Sequence, residues 1–321
     1  MYTLVKCGLI LFAAVTVSER SDGTTINPLS PLSLHSPLHH PILPSISPPS
    51  PPSDIVFRVA GNALPLQANV PSIMLSNFGT QRRTIFTIHS NGETVSGNFN
   101  AFVVRDAIVA LDANIIAVDW SVGSNMYSIG LANAPQAGRL IASFINILIN
   151  NFNYNSNLIT IVGVGLGGHI AGIAARNSVN RIPHIIALDP SLHGWTHHSE
   201  KLSPDAADLV EALHTTGGII GYGLPLGHVD FFANGGSFQP GCGTDSNCGH
   251  IYSYVYFAES MLAEVNDGAK FVGTACESYE EAVALQCTGS RDAIFGGLQS
   301  KSGISGIYLF RTNFVQPFAQ G

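Results

Sequence analysis

The sequence has 321 residues, a formal net charge of −7 and only 11% charged side chains, against about 25% in an average soluble protein. Its 14 Lys and Arg residues form no clustered basic surface, which excludes the usual electrostatic footprint of a nucleic-acid-binding protein. A hydrophobic content of 45% and 33 glycines predict a large, densely packed core. The length is that of one large domain or two small ones.

The N-terminus has the pattern of a secretory signal peptide. Lys6 precedes an apolar run over residues 7–17, and small residues follow it, so we predict a signal peptide over residues 1–18. The alternative is a membrane anchor, but the run is shorter than the roughly 20 residues that a spanning helix needs. No other segment qualifies. We therefore expect a secreted protein with no transmembrane segment.

Residues 19–53 form a segment rich in proline and serine. Nine of the 18 prolines fall between Pro28 and Pro52, a density that prevents regular helix or strand pairing. We predict an extended or disordered arm. His35, His39 and His40 allow a metal-binding alternative, but a solvated linker is the preferred interpretation of the segment.

Residues 54–321 have the pattern of a single globular domain. Apolar, β-branched runs predict strands over residues 55–60, 83–89, 114–120, 158–164, 184–189, 209–214 and 306–312. Helical periodicity predicts helices over residues 99–111, 133–151 and 253–264, with one more after residue 165. Alternation of strands and helices predicts an α/β fold with a mainly parallel, twisted sheet and helices on both faces.

The stretch LITIVGVGLGGHIAG, residues 158–172, predicts a strand, a glycine-rich turn and a helix. This is the layout of the nucleophile elbow, whose pattern is G-x-S-x-G. Gly165 stands at the serine position, so the scaffold of a hydrolase site is present without its nucleophile. A phosphate-binding loop is the alternative, but the Lys-Ser/Thr ending of a P-loop is missing and the glycine spacing is a poor dinucleotide fingerprint. His169, within the predicted helix, is interpreted as structural.

The cysteines point to an oxidising compartment. Of the five in the sequence, Cys7 lies in the predicted signal peptide, which leaves Cys242, Cys248, Cys276 and Cys287. An even number predicts two disulfides, and three connectivities are open. Short loops close at low entropic cost, which favours pairing within each close pair. A zinc site is the alternative, but the spacings match neither a zinc ribbon nor a zinc finger.

Several further motifs carry a family resemblance. NIIAVDWS at residues 114–121, IIALDP at 185–190, LGHVDFFANGG at 226–236 and CGH at 248–250 accompany the elbow. Together they resemble the pancreatic-lipase family, and within it the insect secreted branch, from about residue 55 to residue 321. The resemblance implies an α/β-hydrolase fold, and the sequence stops near the end of that family's catalytic domain.

The resemblance also implies roles for individual residues. Asp189 and His250 correspond to the acid and the base of a catalytic triad whose nucleophile position is Gly165. The backbone N–H groups of Asn91 and Leu166 correspond to the oxyanion hole. No cofactor is implied.

Three features depart from the family. Ser90 and Asn91 stand where the family has a glycine and an aromatic residue. The calcium-binding loop at residues 201–205 lacks an arginine and an aspartate, so no metal is expected. The lid, residues 243–247, is short, as in venom phospholipases that cleave the first acyl ester, and unlike that of interfacially activated triglyceride lipases.

Two functional hypotheses follow. The first is a non-catalytic protein that binds a lipid or a lipid conjugate, or serves as a nutrient store; it resembles the yolk proteins of higher flies, which also lack the elbow serine. The alternative is an active carboxylic-ester hydrolase that acts on triacylglycerol or phospholipid in extracellular lipid catabolism. Gly165 favours the first. Ser90 is a weak substitute nucleophile, because it follows the oxyanion strand instead of lying at the elbow. The oligomeric state is left open.

Overall fold

A ten-stranded sheet, made of the strands in the described residues, organises the domain. The structure is a computed structural model that describes residues 55–62, 64–299, 301 and 303–321. The predicted signal peptide and the predicted Pro-rich arm lie outside the described residues. The strands are β1 (Val56–Val59), β2 (Arg83–Ile88), β3 (Ala113–Asp119), β4 (Ile159–Val164), β5 (His184–Leu188), β6 (Leu209–His214), β7 (Val229–Ala233), β8 (Phe271–Cys276), β9 (Arg291–Phe295) and β10 (Gly306–Phe310).

The centre of the sheet is parallel and its two edges are antiparallel. The spatial order is β1-β3-β2-β4-β5-β6-β7-β10-β8-β9, and the neighbours from β3 through β10 run parallel. β1 pairs antiparallel with β3, as β8 does with β10 and β9 with β8. Strands β4 and β5 are buried at every position, as expected of central strands covered on both faces. The predicted α/β-hydrolase fold is therefore confirmed.

Six α-helices occur in the described residues: α1 (Val70–Met74), α2 (Asn98–Ala110), α3 (Tyr127–Phe152), α4 (Leu166–Arg176), α5 (Ser246–Asn266) and α6 (Tyr279–Val283). Helices α3 and α4 pack together over one face of the sheet, around a core that includes Phe86 and Ile161. Helices α2 and α5 pack together over the other face, around Val162 and Phe231. None of these helices is both long enough and apolar enough to cross a membrane.

Two predicted helices are longer than expected. Helix α3 begins at Tyr127, six residues before the predicted start, with Pro135 inside it. The prediction rested on apolar residues at helical spacing from residue 133 onward, whereas the added N-terminal residues are held against the core by the buried Gly130. Helix α5 begins at Ser246 instead of residue 253, because Asp245 caps it by accepting the backbone N–H groups of residues 247 and 248.

Several elements have no clear signal in the sequence. Strands β7, β8 and β9 and the short helices α1 and α6 were not predicted. β9 lies at the edge of the sheet and β8 lies next to it, and most residues of both strands are partly or fully exposed, so their apolar runs are short and interrupted. The disulfides are Cys242–Cys248 and Cys276–Cys287, which is the pairing that short loop closure favoured.

Candidate active site

The glycine-rich turn connects β4 to α4 in the conformation of an elbow. Gly165 has φ 57°, which side-chain-bearing residues adopt at a cost of about 1–3 kcal/mol. The neighbouring glycines allow close packing of the chain. A Cβ at Gly163 would lie 2.1 Å from the carbonyl oxygen of Gly167, and a Cβ at Gly167 would lie 2.1 Å from that of Ile88. The predicted strand–turn–helix is therefore present, tightly packed against β2.

Asp189 and His250 are hydrogen-bonded beside the elbow. Asp189 follows β5, and His250 lies in the second turn of α5, where its Nδ1 is 2.7 Å from Oδ2 of Asp189. Asp189 is fully buried and accepts further bonds, at 2.9 Å each, from the backbone N–H groups of Thr215 and Thr216. The Thr216 hydroxyl also donates to Oδ2. The carboxylate thus orients His250 and is itself held by the turn after β6.

The environment of Asp189 stabilises its ionised form. Burial alone would raise the pKa of the carboxyl, but the hydrogen bond and charge of His250, with the donors of Thr215 and Thr216, outweigh it and lower the pKa. His250 is partly exposed, with 17% of its side chain accessible. Asp189 also has φ 44°, an uncommon conformation for a residue with a side chain.

The strand that the resemblance assigns to the oxyanion hole ends beside Gly165. Ser90 is buried, and its Oγ accepts a hydrogen bond of 3.4 Å from the backbone N–H of Leu166 and donates one of 3.3 Å to Oδ1 of Asn91. The segment is held by His89, whose Nδ1 lies 2.7 Å from the carbonyl oxygen of Ser90, and by Trp120, whose Nε1 donates to the carbonyl oxygen of His89 at 2.9 Å.

A cavity of about 360 Å³ opens beside these groups, which is within the size range of small-molecule sites. Its wall combines polar and aromatic side chains, among them Ser90, Asn91, Glu93, Tyr127, His250 and Tyr254. Within the described part of the chain, Oε2 of Glu93 is buried and has no hydrogen-bond partner. Burial raises the pKa of Glu93, an effect that His89 and His250 partly offset.

The first disulfide lies at the start of the helix that carries His250. Cys242–Cys248 closes the segment that the resemblance assigns to the lid, and α5 begins within that segment at Ser246. The short lid is thus partly a capped helical turn, which leaves little chain to cover or uncover the cavity. His169 is buried, stacks on Trp195 with ring centroids 4.0 Å apart, and has a pKa lowered by burial to about 3.

The segment that corresponds to the family's calcium loop contains a lysine ammonium. Nζ of Lys201 donates to the hydroxyl of Tyr222 at 2.8 Å and lies 4.8 Å from the centre of that ring. Arg176 approaches Asp205 at 3.7 Å. Among the described residues, no group of three or more His, Cys, Asp or Glu side chains has the geometry to hold a metal ion.

The structure brings together Asp189, His250, Gly165, Leu166 and Asn91, which the sequence separates by up to 159 positions. A base oriented by a carboxylate can accept a proton, but at Gly165 there is no hydroxyl to give one.

Sequence analysis missed three contributors to the site. Thr215 and Thr216 directly follow a strand adjacent to β5, and that position was the available signal for donors to Asp189. Glu93 lies in an irregular loop and had no signal.

Comparisons with known proteins identify the family. The model of the family described as "Lipase" matches residues 60–301. Lipoprotein lipase of Homo sapiens is 32% identical over 250 residues, which cover 68% of this chain and 52% of that protein. Lipoprotein lipase of Gallus gallus is 31% identical over 274 residues, which cover 76% of this chain and 54% of that protein. The chain spans about half the length of these relatives.

Among solved structures, an acetylxylan esterase has a TM-score of 0.39 and 13% identity, covering 58% of this chain and 97% of its own. A similarity this low adds nothing to the assignment. The family model covers most of the chain, and the relatives exceed 30% identity over more than two thirds of it. The chain therefore belongs to the lipase family, in the pancreatic-lipase group to which the lipoprotein lipases are related.

Proposed function

We propose that this chain is a secreted, non-catalytic member of the lipase family that binds a lipid or lipid conjugate, as a carrier or a yolk-type storage protein. The observation that carries the proposal is Gly165 at the elbow, with φ 57° and with His250 directed at a position that bears no side chain. The two disulfides and the predicted signal peptide support secretion.

The absence of a nucleophile removes covalent catalysis. Without a hydroxyl at the elbow no acyl-enzyme forms, and in serine hydrolases loss of the nucleophile lowers kcat by about 10⁶. Activation of a water by His250 remains chemically open, but it does not divide the reaction into two lower barriers. Turnover at enzyme-like rates is therefore not expected.

The cavity supports binding. It is lined by apolar side chains such as Val164 and Ile251 together with polar ones such as Ser90 and His250, a mixture that suits an amphiphile with one apolar and one polar part. The names of the relatives point to lipids carried in lipoproteins as the class of ligand.

The alternative function is an active carboxylic-ester hydrolase. The intact Asp189–His250 pair favours it, and so does the hydroxyl of Ser90, which lies close to Gly165. Within the described residues, however, that hydroxyl is hydrogen-bonded to Leu166 and Asn91 and not to His250.

One experiment separates the two functions. Purified protein is incubated with a fluorophosphonate probe and with short p-nitrophenyl esters, beside a His250→Ala variant. We expect no labelling and no ester turnover above the variant. Turnover at enzyme-like rates that disappears in His250→Ala would establish the hydrolase instead.

A second experiment tests binding. Protein secreted from its expression host is extracted with organic solvent and the lipids are quantified by mass spectrometry. Ile251→Trp narrows the cavity and should lower bound lipid several-fold, because Ile251 lines it and is 37% exposed. Val283→Trp is the matched control, since Val283 is 41% exposed in α6, away from the cavity. Equal lipid in both variants would place the ligand elsewhere.

A further inference from the structure

Ser90 occupies the space beside the elbow that a nucleophile's side chain would need. A Cβ built on Gly165 would lie 2.3 Å from Oγ of Ser90, 2.9 Å from Cβ of Ser90 and 3.3 Å from Nε2 of His250. The last distance is slightly tighter than most real Cβ contacts and needs only a small shift, so the ring of His250 faces the position that a nucleophile's side chain would occupy. The first two are closer than real Cβ contacts. The serine hydroxyl therefore stands where the missing side chain would project.

The same hydroxyl uses the first donor of the elbow helix. The backbone N–H of Leu166, the first residue of α4, donates to Oγ of Ser90 at 3.4 Å. A helix N-terminus leaves its first N–H groups without intrahelical acceptors, and in hydrolases such a donor serves the oxyanion. Here the chain itself supplies the acceptor.

Ser90 is held firmly in this place. Its carbonyl oxygen receives Nδ1–H of the buried His89, because the backbone N–H of Trp120 donates to Nε2 of that ring and assigns the proton to Nδ1. Trp120 also donates from its indole to the carbonyl oxygen of His89. The rings of His89 and Trp120 are both buried, so their hydrogen bonds fix the backbone at Ser90 against the core.

We propose that Ser90 is a built-in blocker of the oxyanion hole, matched to Gly165: its side chain fills the nucleophile's space and its Oγ takes the Leu166 N–H that an ester carbonyl would need. The proposal rests on the proposed function in assuming that the site performs no acyl transfer. Ser90 thereby keeps acyl carbonyls away from the Leu166 N–H, so a bound lipid is held without its carbonyl in the oxyanion hole.

The contact distances predict that the two positions act together. In a Gly165→Ser variant, rotation of the Ser90 hydroxyl relieves the contact at 2.3 Å but leaves Cβ of Ser90 at 2.9 Å. The new serine is therefore displaced, and the Leu166 N–H keeps a competing acceptor nearby. Removing the side chain in Ser90→Gly eliminates both contacts and frees the donor.

The test is a double-substitution cycle with a fluorophosphonate probe. Wild type, Ser90→Gly, Gly165→Ser and the combined variant are labelled under the same conditions, and the labelled residue is located by peptide mass spectrometry. We expect the combined variant to label at least about 100-fold faster than Gly165→Ser, the size of effect that one oxyanion donor has. Wild type and Ser90→Gly should not label.

A matched control separates the blocker from general loosening of the loop. Ser96→Gly combined with Gly165→Ser introduces a glycine in the same connection, at an exposed position away from the elbow. It should label no faster than Gly165→Ser alone. Amide exchange gives a second readout that needs no new nucleophile. Ser90→Ala should accelerate exchange at Leu166 but not at Gly168, whose N–H is bonded to the carbonyl oxygen of Gly165.

Each contrary result is decisive. If the combined variant labels no faster than Gly165→Ser, Ser90 does not block the site. The proposed function is untouched by that result. A gain equal to that of the Ser96→Gly control would assign the effect to loop flexibility. An adduct on Ser90 in the wild-type protein would make Ser90 a nucleophile, which overturns both this proposal and the proposed function.

Discussion

The two halves of the candidate site differ in their hydrogen bonds and packing contacts with the rest of the fold. On one side, Asp189 is buried, hydrogen-bonded to His250 and to the turn at Thr215 and Thr216. On the other side, Gly165 bears no side chain, and the hydroxyl of Ser90 fills the adjacent space. The first half is the hydrogen-bonded Asp189–His250 pair. The second is the nucleophile half, where the reactive group is absent.

The difference shows which catalytic features also stabilise the protein. Removing the Asp189 carboxylate would leave several buried donors without an acceptor, and each such group costs about 1–3 kcal/mol. Replacing an elbow serine by glycine relieves backbone strain and leaves a space that a neighbouring hydroxyl can occupy. An intact Asp–His pair is therefore compatible with a protein that performs no catalysis, because the Asp189 carboxylate also accepts the backbone N–H groups of Thr215 and Thr216.

The largest expected effect concerns the buried carboxylate. Asp189→Ala should lower the free energy of unfolding by about 3–5 kcal/mol, because the N–H groups of Thr215 and Thr216 lose their acceptor. Asp189→Asn is the control: it keeps an acceptor oxygen and tolerates positive φ, so about half the loss is expected. Urea unfolding measures both. A loss below 1 kcal/mol in Asp189→Ala would show that the acid–base half is not structural.

The pH dependence of stability should differ between the halves. The folded-state pKa of Asp189 is lowered, so its contribution is complete above the unfolded-state pKa of about 3.9 and is lost as the pH falls through the folded value. Melting temperatures between pH 6 and pH 2.5 should fall less steeply in Asp189→Asn than in wild type. Ser90→Ala should run parallel to wild type, since Gly165, Ser90 and Asn91 do not titrate. A changed slope in Ser90→Ala would contradict the distinction.

A second buried carboxylate provides a reference for the loss of stability at acidic pH. Glu211 in β6 is fully buried, and despite its burial Nζ of Lys301, at 2.6 Å, and the ring of His184 lower its pKa to about 2. Glu211→Gln should remove a part of the stability loss between about pH 4.3 and pH 2, independently of any change in the active-site half. Additive effects of Glu211→Gln and Asp189→Asn on the slope would show two separate linkages.

Removing each disulfide should have an effect of intermediate size and should distinguish the two halves of the site. Cys242→Ser with Cys248→Ser should cost about 2 kcal/mol and also disturb His250, because the bridge lies at the start of α5. The matched control is Cys276→Ser with Cys287→Ser, which should cost a similar amount without moving the imidazole resonances of His250. If both double variants shift those resonances equally, the first bridge has no special role in holding the base.

The smallest expected effect is in the nucleophile half. Ser90→Ala removes the acceptor of the Leu166 N–H and should cost only about 0.5–1.5 kcal/mol, because one neutral hydrogen bond is lost near a cavity that water can enter. Thermal unfolding measures it. A loss comparable with that of Asp189→Ala would mean that the Ser90 hydroxyl contributes as much to stability as the Asp189 carboxylate.

The amino-acid sequence by itself determined the order of the central elements and the strand–turn–helix at Gly165, and the family resemblance indicated Asp189 and His250 as the acid and the base. Strands β2 to β6 are short and mostly apolar, a composition that favours burial on both faces. Gly165, Asp189 and His250 lie in short motifs whose spacing is local. The disulfide pairing followed from loop closure, which also depends on short separations. Strands β8 and β9, the last two in the spatial order of the sheet, gave no such signal.

Only the tertiary structure decided what surrounds the elbow. Ser90 and Leu166 are 76 positions apart, and their contact depends on the register by which β2 pairs with β4. The donors at Thr215 and Thr216 reach Asp189 because β5 and β6 are neighbours in the sheet. Contacts between side chains on adjacent parallel strands depend on crossovers through separate helices, so no local pattern encodes them. The sequence therefore showed which group was missing, and the packing of β2 against α4 showed what had taken its place.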